Sequence, residues 1–152
     1  MNAIIIDDDV VSGELIARFL EKTEFITLQE NFTDPLKALN YLHWNKTDLI
    51  FLDIEMPGMN GMEFLRTIKS STAQVILVTS HKEFAPEAFE FKVLDYLVKP
   101  FTYARFFSAV SSAKHITAKK ENGAIPYDDD IVFVKKDSGM VRIRKSDILW
   151  VE

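Results

Sequence analysis

The chain has 152 residues, 47% hydrophobic and 27% charged, with five glycines, five prolines, no cysteine and a formal net charge of −5. That make-up excludes disordered and collagen-like chains and fits one globular domain with room for an appendage. Without cysteine there are no disulfides, thiolate metal sites or cysteine nucleophile; with no basic leader and no apolar run of membrane-spanning length, an unexported, cytoplasmic chain is expected.

In chain order, short apolar runs alternate with stretches of helical period as far as about residue 120, the pattern of β–α units feeding a parallel sheet. Strands are predicted at 3–6, 25–30, 49–52, 75–79 and 94–98. Most are continuous runs of Val, Ile, Leu or Phe, as strands covered by helices on both faces require. Leu15, Ile16, Phe19 and Leu20 share one face of a first helix, and Asp34 before Pro35 is an N-cap with proline in the first helical position. Third and fourth helices are predicted at 61–69 and 83–91, and Tyr103, Phe106, Phe107 and Val110 form the apolar stripe of a fifth that runs to about Lys120.

Residues 121–130 then form a polar linker without periodicity. Beyond it, 131–136 and 140–144 flank Asp137, Ser138 and Gly139, a hairpin signature, and 148–151 would start another strand. These few strands cannot make a stable domain by themselves. Charge changes at the same place: residues 1–130 carry 13 Lys/Arg against 20 Asp/Glu, and residues 131–152 carry five against three. The predicted class is therefore α/β, a doubly wound five-stranded parallel sheet plus a short C-terminal β segment; the charge flip marks either two pieces with different partners or, as charge alone favours, a surplus of two that a short tail carries by chance.

In such a sheet, loops at the carboxyl ends of the strands gather on one edge, where ligands bind. Asp7, Asp8 and Asp9 follow the first strand, Asp53 and Glu55 the third, Thr79 and Ser80 the fourth, and Lys99 with Pro100 the fifth. Carboxylates about 4 Å apart repel by roughly 4 kcal/mol at an effective dielectric near 20, so a cation between them is implied. Oxygen ligands select a hard ion such as Mg²⁺, which leaves positions open for phosphate oxygens. Asp53 would then act as a carboxylate nucleophile forming an acyl phosphate, with Lys99 a point charge for phosphoryl oxygens and Thr79 a hydroxyl donor.

The stretches Ile4-Ile-Ile-Asp-Asp-Asp9, Leu52-Asp-Ile-Glu-Met-Pro-Gly-Met-Asn-Gly-Met-Glu-Phe64, Val78-Thr-Ser80 and Leu94-Asp-Tyr-Leu-Val-Lys-Pro-Phe101 resemble the receiver domain of bacterial two-component response regulators. The resemblance implies a flavodoxin-like sheet of order 2-1-3-4-5 and puts the phosphoacceptor on Asp53. It puts Mg²⁺ on Asp8 and Asp53, the backbone carbonyl of Glu55 and, through water, Asp7; a one-residue shift would promote Asp9 over Asp8. Thr79 matches the phosphate-binding hydroxyl, Tyr96 the aromatic switch, and Lys99 the lysine whose bond to Pro100 is cis in the family.

Together with Ala88-Phe-Glu and residues 131–152, the motifs further resemble regulators with a LytTR-type DNA-binding output. The implied division is a receiver at 1–120, a linker at 121–130 and the start of a truncated LytTR-type domain at 131–152. The implied partners are a sensor histidine kinase, DNA through the full-length output, and a second copy on phosphorylation. The protein would catalyse only its own phosphorylation and dephosphorylation.

Simpler readings stand beside these. Asp7, Asp8 and Asp9 would serve as a helix-cap run, and Tyr96 as core. His81 and Glu55, two positions after Thr79 and Asp53, either line the entrance of water to the acyl phosphate or are plain surface residues. His43 and His115 are expected at the surface, Trp44 and Trp150 in packing, and Arg142, Arg144 and Lys145 on a solvated strand face. Two other functions fit parts of the pattern. A Mg²⁺-dependent phosphatase with an aspartate nucleophile would want Asp where Glu55 stands, and a pseudo-receiver would bind partners without phosphorylation.

Overall fold

The computed structural model describes residues 1–69, 71–84, 88, 90–121, 131–136 and 139–144, with Lys82, 117–121 and the last two stretches described by their backbone. The elements are β1 (Asn2–Ile6), α1 (Val10–Glu21), β2 (Thr27–Phe32), α2 (Pro35–Trp44), β3 (Leu49–Asp53), α3 (Gly61–Thr67), β4 (Gln74–Thr79), β5 (Asp95–Val98), α4 (Tyr103–Glu121), β6 (Ile131–Lys136) and β7 (Gly139–Arg144). A 3-10 turn occupies Lys82–Phe84. The first five strands are all parallel, in the order β2-β1-β3-β4-β5. The chain winds one way from β1 to β2 and the other way from β3 onward, so the order reverses between β1 and β3, and the crevice at their carboxyl ends lies between residues 7 and 53.

Successive strand side chains point to opposite faces, and the apolar runs fill both. On one face Ala3, Ile5, Leu49, Phe51, Ile76, Val78 and Leu97 pack against Ile16 and Leu20 of α1 and Phe106, Ala109, Val110 and Ala113 of α4. On the other, Ile4, Ile6, Ile50, Leu52, Val75 and Leu77 meet Ala38 of α2 and Met62, Phe64 and Leu65 of α3. Fully burying a side chain of this kind stabilises by about 1.5–3 kcal/mol, so this two-sided core fixes the register of the strand ends that carry the polar residues. Caps set the helix starts. Asp9 accepts from Val11 N, Asp34 accepts from Leu36 N with Pro35 behind it, and Asn60 and Glu63 form a reciprocal capping box.

The structure corrects several expectations. β2 lies two residues later than 25–30, because Phe25 and Ile26 form the turn that packs under α1, while the strand continues through the polar residues Gln29, Glu30 and Asn31 of a half-exposed edge. Leu15 faces solvent at 39% exposure and Phe107 at 42%; the inward stripes pass instead through Ser12, Gly13, Ile16 and Leu20, and through Phe106, Ala109, Val110 and Ala113.

Trp44 is not a packing residue: it is 83% exposed at the end of α2, its ring edge-on to His43. His43 and His115 are exposed as expected. Of the helix predicted at 83–91, the described residues show the 3-10 turn and helical backbone at Ala88 and Glu90; 85–87 and 89 lie outside the description. Gly139 opens β7 opposite Lys136 rather than sitting in the turn, so β6 and β7 pair antiparallel around a two-residue connection. Trp150, Lys145 and the strand expected at 148–151 lie outside the described residues, as does most of the linker.

Candidate functional site

Asp7 directly follows β1 and Asp53 ends β3, both buried, and one lysine reaches both. Lys99 Nζ donates to Asp7 Oδ2 at 2.8 Å and to Asp53 Oδ2 at 2.9 Å. Ser12, on the inner face of the first turn of α1, donates its hydroxyl to Asp7 Oδ2 at 2.6 Å, and Asp9 N donates to Asp7 Oδ1 at 3.0 Å. Asp53 Oδ1 accepts the backbone N–H groups of Ile54 (2.6 Å) and Glu55 (3.2 Å). Burial pushes the Asp53 carboxyl above the usual carboxylate range against the pull of Lys99, and the nearby Asp7 charge adds to the push. Burial alone would lower the Lys99 ammonium, but its bonds to Asp7 and Asp53 outweigh that and hold it above its ordinary value.

Asp8 completes the cluster: Asp7, Asp8 and Asp53 each offer a carboxylate oxygen, all within 4.8 Å of one another. Three hard oxygen donors at that spacing suit a divalent cation of the Mg²⁺ type. The Asp9 carboxylate caps α1 instead. Gly61 keeps the loop after β3 tight against the cluster. Its N–H donates to the Ile54 carbonyl at 2.8 Å, and a Cβ there would lie 2.3 Å from the Asp53 carbonyl oxygen.

The next strand ends close the other side. Thr79 is fully buried, its Oγ1 accepts the His81 N–H at 3.2 Å, and its carbonyl accepts the Lys99 N–H at 2.8 Å ahead of the cis Lys99–Pro100 bond. The Tyr96 hydroxyl donates to the His81 carbonyl. Burial, helped by the Glu83 and Asp53 charges, pushes the Tyr96 phenol up to about 12. Glu55 and His81 turn out to be one bridge. His81 Nε2 lies 2.8 Å from Glu55 Oε2 and Nδ1 lies 2.6 Å from Glu83 Oε1, and the bond to Glu83, with both negative charges, raises the imidazole above its ordinary value.

Every strand-end residue singled out from the sequence thus falls on one edge of the sheet. Sequence reasoning missed Ser12, Gly61 and the pair Asp95–Arg105 behind Tyr96. Of these, only Ser12 left a usable signal, a small polar residue on the inward stripe of α1 five positions after Asp7.

The family model "Response regulator receiver domain" matches residues 3–111. Over 160 aligned residues the chain is 26% identical to protein MrkE of Klebsiella pneumoniae, covering all of this chain and 60% of that protein. It is 33% identical over 137 residues to the transcriptional regulatory protein LytR of Staphylococcus aureus, covering 86% of this chain and 54% of LytR. The chain therefore spans little more than half the length of these curated relatives. The solved response regulatory domain of MrkE superposes with a TM-score of 0.70 at 28% identity, over 80% of this chain and 99% of that one. The response regulator TrrA of Thermotoga maritima, solved in complex with Mg²⁺ and BeF, superposes with a TM-score of 0.66 at 25% identity, over 74% of this chain and 97% of that one. No helix among the described residues is long and apolar enough to cross a membrane. With its 2-1-3-4-5 parallel sheet and its acidic cluster bridged by a lysine, the chain belongs to the response regulator receiver domain family.

Proposed function

We propose that this receiver accepts a phosphoryl group from a sensor histidine kinase on Asp53 and, by switching conformation, controls a DNA-binding output that regulates transcription. The observation that carries this reading is the joining of Asp7, Asp8 and Asp53 within 4.8 Å with Lys99 bonded to two of them. The Asp53 carboxylate attacks phosphorus, the P–N bond of the donor phosphohistidine breaks with its electron pair returning to imidazole, and the new P–O bond completes an acyl phosphate. Lys99 supplies positive charge to the phosphoryl oxygens, and Thr79 supplies a hydroxyl once its bond with the His81 amide is exchanged. Asp8, Asp53 and the Glu55 carbonyl would hold Mg²⁺, with Asp7 acting through water, and the ion when bound neutralises phosphoryl charge.

The switch follows from the same contacts. As Thr79 turns toward the phosphoryl group, the loop carrying His81 moves and Tyr96 loses its partner there, so its ring can turn inward. Moving such an equilibrium from 1:99 to 99:1 needs about 5.5 kcal/mol, which three or four charge-assisted bonds at roughly 1.5–3 kcal/mol each supply. The outcome is homodimerisation on phosphorylation.

On α1 beside the site, Val10, Val11 and Leu15 are exposed apolar side chains suited to a kinase helix. The bridge from His81 to Glu55 and Glu83 spans the mouth of the site and governs how fast water reaches the acyl phosphate. The β6–β7 hairpin and the relatives' greater length support residues 1–120 as receiver, 121–130 as linker and 131–152 as the beginning of a LytTR-type DNA-binding domain in a cytoplasmic regulator.

Binding of beryllofluoride in the presence of Mg²⁺ tests the reading. The chain should bind it, and both Asp53→Asn and Asp8→Asn should lose it. Equal binding by Asp53→Asn would overturn the assignment.

A further inference from the structure

Tyr96 is held at both ends, and only its ring end belongs to the site described above. Its backbone N–H donates to Asp95 Oδ1 at 2.7 Å, and its carbonyl accepts from Arg105 Nη2 at 3.0 Å. The same guanidinium grips the Asp95 carboxylate in a two-point fork, Nη1 to Oδ2 at 2.9 Å and Nη2 to Oδ1 at 2.6 Å. Asp95 is buried and lies on β5; Arg105 lies in the first turn of α4, its own N–H bonded to Thr102 Oγ1. One arginine therefore ties the helix to the peptide of the residue whose ring reports on the His81 loop.

We propose that Arg105 is a positioning residue of the switch: through Asp95 and the Tyr96 carbonyl it couples rotation of Tyr96 to displacement of α4. The proposal rests on the reading of Asp53 as phosphoacceptor and adds the route by which the signal leaves β5. Fork geometry explains why arginine serves here. A planar guanidinium satisfies both carboxylate oxygens and a carbonyl at fixed angles, whereas a lysine ammonium is a single point that cannot keep all three bonds. Without the fork, β5 and α4 remain packed through Leu97, Phe106 and Val110, but apolar contact is non-directional and lets the strand shift without carrying the helix.

The test uses NMR spectra of the whole chain with and without Mg²⁺ and beryllofluoride. In the parent, the analogue should shift the Tyr96 ring and the amides of the first two turns of α4 together. In Arg105→Gln the Tyr96 ring shift should persist and analogue affinity should stay within about threefold, while the α4 shifts fall by at least half; Arg105→Lys should fall between. Because Arg105→Gln strands the buried Asp95 charge, the double variant Asp95→Asn/Arg105→Gln, which leaves no such charge, should show the same loss at α4. Parent-like α4 shifts in a variant whose Tyr96 ring still responds would overturn this proposal alone. No response at Tyr96 or α4 in the parent would overturn it together with the phosphoacceptor reading.

Discussion

Replacing Lys99 by Met keeps the length of the side chain and removes a charge that touches both Asp7 and Asp53. At 2.8 and 2.9 Å, and with an effective dielectric near 20, each contact is an attraction of about 6 kcal/mol. The cost of burying three charged groups offsets most of this in the parent, so the expected net loss is the cost of stranding a buried partner, about 3–5 kcal/mol. The loss should depend on pH. Burial already raises the Asp53 carboxyl, and without Lys99 it rises further. A carboxyl whose folded pKa is raised contributes stability that is present below its unfolded value and is lost as pH climbs through the folded one. Urea melts without metal should therefore show a Lys99→Met deficit that is smallest near about pH 4 and grows toward about pH 7. Added Mg²⁺ should restore more stability to the variant than to the parent, since a cation then stands among the same carboxylates. A variant within about 1 kcal/mol of the parent at every pH would refute the claim that Lys99 neutralises two juxtaposed carboxylates.

Gly61→Ala should cost about 1–3 kcal/mol in the same melts and shift the amides of Ile54 and Glu55, because the new methyl meets backbone at 2.3 Å and 2.8 Å rather than a side chain that can move. In an ultraviolet titration of phenolate, one tyrosine should ionise near pH 12, and that late step should be missing in Tyr96→Phe. The raised value also means that the Tyr96 contribution to stability is complete below about pH 10 and is lost as pH rises toward about 12. Thr79→Ala should still accept a phosphoryl group but dimerise no more when phosphorylated than when not, as sedimentation would show; full phosphorylation-dependent dimerisation would exclude Thr79 from the switch. His81→Ala should change the rate at which the acyl phosphate hydrolyses, and an unchanged rate would reduce the bridge to Glu55 and Glu83 to a surface contact.

The sheet was legible in the sequence because its central strands are buried on both faces and so read as unbroken apolar runs, as Ile4, Ile5 and Ile6 or Leu49, Ile50 and Phe51 show. β2 was misplaced because an edge strand half in water carries no such run, and the apolar pair beside it, Phe25 and Ile26, belongs to a turn. Leu15 and Phe107 were misread for a related reason: each adjoins a buried residue, Ile16 or Phe106, but lies at the rim of its helix's inward stripe, and composition does not say where that rim falls.

Asp7, Asp53, Thr79 and Lys99 were legible as strand-end polar residues in a fold that gathers strand ends. The Asp95–Arg105 fork was not, since its partners are ten residues apart on different elements and an arginine in a helix reads as solvated. Glu55 and His81 were legible as neighbours of one entrance, but their direct contact and the second partner Glu83 were not, because the loops that carry them meet only once β3 and β4 pair.

Phosphorylation itself tests the account most directly. Incubating the chain with Mg²⁺ and phosphoramidate, a small donor with a P–N bond, and reading the intact mass followed by reductive trapping of the acyl phosphate should place a single phosphoryl group on Asp53, with none on Asp53→Asn. A phosphoryl group that persists in Asp53→Asn, or a parent chain that binds Mg²⁺ and remains unmodified, would contradict it.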